Sequence, residues 1–518
     1  MVVVEIDPTL PAFTIIAREK DTVRLGDRDP ETGNLTPEAM QRSLAALQRC
    51  QDLARSLGVN RIVAVATSAT REAPNGKEFL EQIESELGLV VDLISGVEEA
   101  RRIYLGVLSG MEFDERPHVI VDIGGGSTEL ILADSKEARF LSSTKIGAVR
   151  LTKELITTDP ISDREFGDLK AHVRGMLERP IDQVRLALQA REAPRMVGTS
   201  GTIETLATIN AIEKLGAIPN PLNGYQMSRQ DVLEMVDRFA SMDYERRFAI
   251  PGISDKRAEI ILAGATILAQ TMTMLDIDSI TICERALREG IIVDWMLSQG
   301  FIESRLCYQS EVRQRSVMKI ANKYQVDLDY SKKIVAFALD IFDQIQGKLH
   351  YWGDREKQLL WAATILHNCG VYVSHAAHHK HSYYLIRNAE LLGFTEVELE
   401  VIANIARYHR KSKPKKKHES YRNLPNKKYR QLVSQLSAIL RVAVALDRRQ
   451  IGAIKELKCE YDSPRRRLYL HLIPRDPEDD CSLELWNLNY KKVVFEEEYG
   501  VKIVPLLEPR TVSQISRT

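Results

Sequence analysis

No apolar run in this chain approaches the ~20 residues that a membrane-spanning helix needs, and the opening MVVVEIDPTL has neither the basic region nor the long apolar core of a signal peptide. A membrane protein is therefore not expected, and the expected location is the cytosol. Cysteine is sparse and scattered: Cys50, Cys283, Cys307, Cys369, Cys459 and Cys481 form no C-x-x-C pair, which argues against a disulfide framework or a zinc knuckle and leaves free thiols. An excess of one charge is also lacking, with 71 basic against 72 acidic residues, so the chain as a whole names no polyanionic or cationic partner and no specific nucleic acid.

What is present is ordinary globular material, 44% hydrophobic and 28% charged over 518 residues, long enough for three or four domains. Strand-like runs at Val2 to Ile6, Ala12 to Ala17 and Arg61 to Ala66 alternate with helical patterns at Pro37 to Leu57 and Lys77 to Leu87, an α/β unit expected over residues 1–113. A second such unit, expected over 114–300, holds strands at 119–123, 128–133, 138–146, Arg195 to Val197 and Ser279 to Ile282, and closes on an apolar helix at Glu289 to Leu297. From about Glu311 to Leu446 the periodicity is helical throughout, giving a third domain over 310–450. Short alternating runs at Leu468 to Ile473, Lys491 to Phe495 and Val501 to Val504 read as a small β-rich region over 451–518.

The most informative segment is Val119-Ile120-Val121-Asp122-Ile123-Gly124-Gly125-Gly126-Ser127-Thr128-Glu129-Leu130. A buried strand ends in a carboxylate, and three glycines then let backbone amides approach an anion with no side chain in the way, which makes a phosphate nest. Asp122 at the strand end suits Mg²⁺, directly or through water. The bland alternative is a Gly-rich turn with a capping Asp. A second polar loop, Gly198-Thr199-Ser200-Gly201-Thr202, opens a helix at Ile203, where either anion binding or simple N-capping is expected. A third, Thr67-Ser68-Ala69-Thr70-Arg71, ends a strand in hydroxyls and a guanidinium that fits phosphate. Glu98 and Glu99 open a helix that runs to about Leu108; both suit the helix dipole, or one faces the phosphate site as a general base.

Taken in order, TSATREA, ISGVEEARRIYLGV, VDIGGGSTEL, GTSGTIETLA, PGISDKRAEIILAG and ERALREGII resemble the exopolyphosphatase/guanosine pentaphosphate phosphohydrolase (Ppx/GppA) family, and ILHNCGVYVSHAAHHKHSYYLI with ARYHRK is similar to the HD-like helical domain of its longer members. The resemblance implies two actin-like (ribonuclease H-like) domains, an HD-like domain and the β-rich region, a homodimer, and Mg²⁺-dependent hydrolysis of a phosphoanhydride. Carried over by motif, Glu99 is the general base; Asp122 and Glu129 serve the metal; Gly124, Gly125, Gly126, Ser127, Arg71, Ser200, Gly201 and Thr202 bind phosphate, with Arg257 and Glu289 as weaker candidates.

Two departures from the family follow. Members open with a strand carrying an Asp-x-Gly-(Ser/Thr)-Asn-Ser loop, which is absent here; Asp7 is no substitute, because Pro8 follows it. A chain starting at an internal Met, with poor activity and solubility, is the expectation. The HD-type metal pair reads His367-Asn368, so although seven of the eleven histidines fall between 367 and 418, a structural or polyanion-binding role is expected ahead of a catalytic metal. Lys415, Lys416 and Lys417, in the basic stretch Arg407 to His418, form either a track for a polyanion or a solvated loop. The expected activity is exopolyphosphatase; the alternatives are a pppGpp 5′-phosphohydrolase and, of another class, a catalytically weak sensor of polyphosphate or nucleotide. A sugar kinase is disfavoured by the Glu99 and Arg71 blocks.

Overall fold

The computed structural model describes residues 1–7, 12–21, 23–26, 28–114, 116–189, 192–302 and 312–508. The chain divides into two compact units, Met1–Val312 and the remainder from Arg313 onward.

In the first unit the strands are β1 (Val2–Asp7), β2 (Ala12–Arg18), β3 (Ala64–Ala66), β4 (Val91–Leu93), β5 (His118–Ile123), β6 (Thr128–Ala133), β7 (Ala138–Thr144), β8 (Arg195–Thr199), β9 (Gln226–Ser228) and β10 (Ser279–Ile282). The helices are α1 (Pro37–Ser56), α2 (Ser68–Arg71), α3 (Gly76–Leu87), α4 (Gly96–Leu108), α5 (Ala148–Leu155), α6 (Asp163–Ala187), α7 (Ser200–Leu215), α8 (Arg229–Ala240), α9 (Tyr244–Phe248), α10 (Asp255–Ala258), α11 (Ile261–Leu275) and α12 (Leu287–Ser298). Six strands form one sheet in the order β7-β6-β5-β8-β10-β9, with β5, β8 and β10 parallel. The other four pair as β1-β2, antiparallel, and β3-β4, parallel. The run Arg61 to Ala66 is strand only at Ala64–Ala66, where it has a partner in Val91–Leu93.

Strand period two explains how the large sheet is covered. Val119, Val121, Ile123, Leu130 and Leu132 enter a core shared with α6, α7, α8 and α11. Their neighbours Ile120, Ile131 and Ala133 enter a second core with α4, α12 and Phe13 of β2. That second core joins residues on both sides of the expected boundary at 113/114, so the two α/β halves form one compact unit. The crossing of α4 and α12 is close enough that a Cβ on Gly290 would lie 1.7 Å from the Arg102 carbonyl oxygen, and one on Gly106 would lie 2.0 Å from that of Ala286.

The second unit is helical over Val312–Lys323, Leu328–Ile345, Asp354–Leu366, His378–Arg387, Glu396–Arg407 and Lys427–Ala445, then mixed: β11 (Ile454–Asp462), β12 (Arg467–Pro474), the helix Ser482–Tyr499 and β13 (Lys502–Leu507). Here the sequence reading needs correction. Lys491 to Phe495 is not a strand but part of the helix, whose buried positions Glu484, Leu488, Phe495 and Tyr499 follow helical spacing despite the β-prone Val493-Val494-Phe495. The helix is required by topology, since β12 and β13 are parallel and need a crossover between them. Nor do the described residues of the expected region 451–518, which end at 508, stand apart: Leu457, Leu470, Leu488, Phe495 and Ile503 share one core with Ile334, Phe342, Ile402 and Leu436. The described cysteines Cys50, Cys283, Cys369, Cys459 and Cys481 are free, and Cys307 lies outside the described residues. Among the described residues no helix is long and apolar enough to cross a membrane.

Candidate active site

The glycine loop joins β5 to β6 as a hairpin, with the Gly124 amide donating to the Ser127 carbonyl at 2.9 Å. Its carbonyl groups are drawn to one side. Ala148 N–H donates to Gly124 O, and Val149 and Arg150 N–H donate to Gly125 O, all at 3.0 Å, while Arg150 Nε donates to Gly126 O at 2.9 Å. Among the described residues the amides of Gly125 and Gly126 have no acceptor, which leaves them available to an anion. Room is tight on the other side too: a Cβ on Gly126 would lie 2.5 Å from Ser68 Oγ, so the first turn of α2 faces the loop.

Two carboxylates are fixed next to the loop by strand register. Asp122 and Glu129 are directly opposite each other on β5 and β6, both buried. Like charges in that position repel, and burial adds to the effect. Burial first, then the charge of Glu99 and Glu204, pushes the Asp122 carboxyl up to about 7, the nearby Ser200 hydroxyl opposing the shift; burial, then Glu99 and Asp122, pushes Glu129 up to about 8 against hydrogen bonds from Ser143 and Ser127. Ser143 Oγ donates to Glu129 Oε1 at 2.7 Å.

Glu99 completes the group from α4. The two acidic residues that begin that helix have separate roles. Glu98 is taken up by Arg101 and Arg102 in hydrogen bonds of 2.7–2.9 Å. Glu99 is buried, held by Arg71 Nη1 and Nη2, each 3.4 Å from Oε2, with a further hydrogen bond from Thr67. Burial raises its carboxyl above the ordinary range, against the pull of Arg71. Arg71 is itself fixed by donating to the Ile94 carbonyl at 2.7 Å.

The second polar loop closes another side. The helix begins at Ser200, three residues before the expected Ile203, and neither Ser200 nor Thr202 caps it. Ser200 Oγ donates to the Ile123 carbonyl at 2.9 Å, and Thr199 Oγ1 donates to the Arg285 carbonyl at 3.0 Å, so the hydroxyls tie the loop to its surroundings and the first-turn amides of α7 stay unpaired by it. Ser200 holds φ +79, a left-handed backbone that an L-residue adopts at a cost of roughly 1 kcal/mol or more. Arg257 lies against this loop: its Nη1 is 3.4 Å from Thr202 Oγ1, and a Cβ on Gly201 would fall 2.1 Å from its Nη2.

The structure thus groups Arg71, Glu99, Asp122, Glu129, the loop Gly124–Ser127 and, through Ser200, the start of α7 with Arg257. Glu289 has another task, capping α12 by accepting from Ala286 N–H at 3.1 Å. Lys415, Lys416 and Lys417 are exposed and belong to the second unit. Sequence reasoning missed Ser143, Glu204, Glu72 and Arg150. Glu204 and Glu72 stand inside motif blocks already singled out; Ser143, on β7, and Arg150, which reaches Glu72 with Nη2 at 2.6 Å, carry no local signal. In the second unit, His367 and His409 are buried, and each places Nδ1 2.6 Å from the carbonyl three residues before it, with burial depressing both below the ordinary imidazole range. Among the described residues no three His, Cys, Asp or Glu side chains converge as direct metal ligands.

Residues 2–299 match the Ppx/GppA phosphatase family, and residues 312–492 match its domain III. The chain belongs to the Ppx/GppA phosphatase family. A guanosine-5′-triphosphate,3′-diphosphate pyrophosphatase of Vibrio parahaemolyticus is 28% identical over 482 residues, covering 91% of this chain and 90% of that protein. A protein of the same name from Aliivibrio fischeri is 30% identical over 442 residues, 84% of this chain and 82% of its own length. Among solved structures, an exopolyphosphatase from Cytophaga hutchinsonii shares the fold with a TM-score of 0.52 at 24% identity, over 58% of this chain and 94% of that one.

Proposed function

We propose that this Ppx/GppA family member hydrolyses the terminal 5′ phosphoanhydride of guanosine pentaphosphate, releasing orthophosphate and ppGpp. The observation that carries the reaction type is Glu99, a buried, Arg71-anchored carboxylate grouped with a glycine loop in which, among the described residues, the Gly125 and Gly126 amides have no acceptor. The substrate is taken from the relatives of nearly full length, which are named for guanosine-5′-triphosphate,3′-diphosphate. This reverses the order of preference drawn from the sequence, in which polyphosphate came first and pppGpp was the alternative.

In this reading the amides of Gly125 and Gly126, the first turn of α7, and the side chains of Ser127, Thr202 and Arg257 hold the terminal phosphates. Glu99 accepts a proton from the attacking water, and its raised affinity for protons makes it a better base near neutral pH. Arg71 fixes the direction of that carboxylate. The water oxygen bonds to the terminal phosphorus as the bridging P–O bond breaks, the bridging oxygen leaving with ppGpp.

Asp122 and Glu129 fit a divalent cation, because two opposed buried carboxylates pushed up to about 7 and about 8 are a poorly compensated charge. Two carboxylates would suit a Mg²⁺ ion that keeps several of its waters. When bound, it would offset phosphate charge during transfer.

The test is phosphate release with Mg²⁺ from pppGpp and from long-chain polyphosphate, by the wild type and by Glu99→Gln. A fall of about 10²–10⁴-fold is expected for the variant, with its melting transition retained. Full activity in Glu99→Gln would remove Glu99 from the role of base, and faster release from polyphosphate than from pppGpp would restore the other substrate.

A further inference from the structure

The glycine loop is held from behind by α5. In a trans peptide the carbonyl and the N–H point in opposite directions, so anchoring a carbonyl aims the amide of the next residue. Three successive carbonyls of the loop are anchored in this way. Ala148 N–H takes Gly124 O, and the Val149 and Arg150 amides take Gly125 O, which aims the amides of Gly125 and Gly126 away from α5. The first-turn amides of a helix have no partner within it, so these two anchors need no particular side chain. Gly147 allows the close approach, since a Cβ there would lie 2.4 Å from Gly125 O.

The third carbonyl is different. Gly126 O is taken by a side chain, Arg150 Nε at 2.9 Å, and the amide so aimed is that of Ser127, which has no acceptor among the described residues. The same guanidinium donates through Nη2 to Glu72 Oε2 at 2.6 Å, while Nη1 lies 3.7 Å from Glu154 one turn along α5. Glu72 is 10% exposed and Arg150 22%, so water screens this pair less than one on the open surface. Glu72 directly follows Arg71 at the end of α2, and Arg28 secures that turn by donating to the carbonyls of Glu72 and Ala69 at 3.2 and 3.1 Å. The pair of Arg150 and Glu72 therefore joins the last peptide of the glycine loop to the segment that holds Arg71 and, through it, Glu99.

We infer that Arg150 is a positioning residue for phosphate: it fixes the Gly126–Ser127 peptide so that the Ser127 amide joins those of Gly125 and Gly126, and Glu72 holds the guanidinium in place. The inference rests on the reading of the glycine loop as the phosphate site. Arg150 itself is spent on a carbonyl and two carboxylates, which makes it a support of the loop and not a ligand of the anion. Without it Gly126 O loses its hydrogen-bond partner, and the glycine on one side of the peptide leaves it free to rotate. A rotated peptide turns a carbonyl oxygen, in place of an N–H, towards the phosphate.

Two measurements test this on the wild type, Arg150→Gln, Arg150→Lys, Glu72→Gln and the double variant Arg150→Gln with Glu72→Gln. They are hydrolysis of pppGpp with Mg²⁺, and calorimetric titration with Mg²⁺ and guanosine 5′-[β,γ-imido]triphosphate, whose bridging nitrogen resists hydrolysis. Arg150→Gln is expected to raise KM and Kd about tenfold with a much smaller change in kcat, because a hydrogen bond to phosphate is lost from bound substrate and transition state alike. A merely structural role would lower the melting temperature and kcat and leave KM unchanged. Arg150→Lys reaches the carbonyl or the carboxylate but not both, so its KM should lie between the two, and it decides the matter if the Gln variant does not fold. Glu72→Gln should raise KM less, and the double variant no more than Arg150→Gln alone, since Glu72 acts through Arg150. If the wild type binds the analogue but does not hydrolyse pppGpp, the proposed reaction fails while the Kd values still decide the role of Arg150. Wild-type KM and Kd in both Arg150 variants, additive losses in the double variant, or no binding of the analogue by the wild type overturns the proposal.

Discussion

At the scale of single residues, the candidate site is a place where local stability is given up. Asp122 and Glu129 are opposed across a strand pair, buried, and pushed up to about 7 and about 8. A carboxylate whose folded value is raised keeps its proton in the folded chain at a pH where the unfolded chain has already lost it. Stability therefore falls as pH rises from the ordinary carboxylate range to about 8. Glu129→Gln removes that penalty, so without divalent metal its melting temperature at pH 8 should exceed the wild type's by about 2–4 °C for each kcal/mol recovered, with little difference at pH 4. A thermal scan at both pH values decides this, and a Gln variant less stable than wild type at pH 8 would count against the buried charge. Serine at position 200 belongs to the same argument: its left-handed backbone accompanies a hydroxyl that ties α7 to the end of β5. The sequence showed these residue types and their order. It did not show that Glu98 and Glu99 separate, because both are equally suited to a helix start and only the positions of Arg101, Arg102 and Arg71 divide them.

At the scale of elements, α4 carries Glu99 and is held in place chiefly by α12. The two helices approach at Gly106 and Gly290, where each backbone occupies the space of the other's missing side chain. Gly290→Ala puts a methyl group 1.7 Å from a main-chain oxygen, which no rotamer change relieves. The helices must separate, and a loss of about 1–3 kcal/mol in urea denaturation is expected, together with reduced turnover as Glu99 shifts. An Ala variant with wild-type stability would show that the crossing is more compliant than its geometry implies. Glycine in ERALREGII is visible in the sequence, but its partner, the carbonyl of Arg102, is remote in the chain, so the packing reason is not.

At the scale of the molecule, the segment from Ile454 onward is structurally part of the helical unit. Phe495 is fully buried in the core that also holds Ile334 and Phe342. Phe495→Ala should cost about 3–5 kcal/mol and lower amide protection across the helix Leu328–Ile345 as well as locally. Unchanged hydrogen exchange in that helix would mean that the last strands and helix fold as a separate body.

The sequence by itself determined the strand–carboxylate–glycine segment, the order of the motif blocks, the helical character of most of the second half, and the family. These are local or periodic signals, written in neighbouring residues. Only the tertiary structure decided which motif residues share a site, that Lys491 to Phe495 is helix, and that Glu98 and Glu99 separate. The physical reason is common to all three: burial, charge compensation and the need for a crossover between parallel strands depend on groups far apart in the chain, and local propensity yields to them when the core closes.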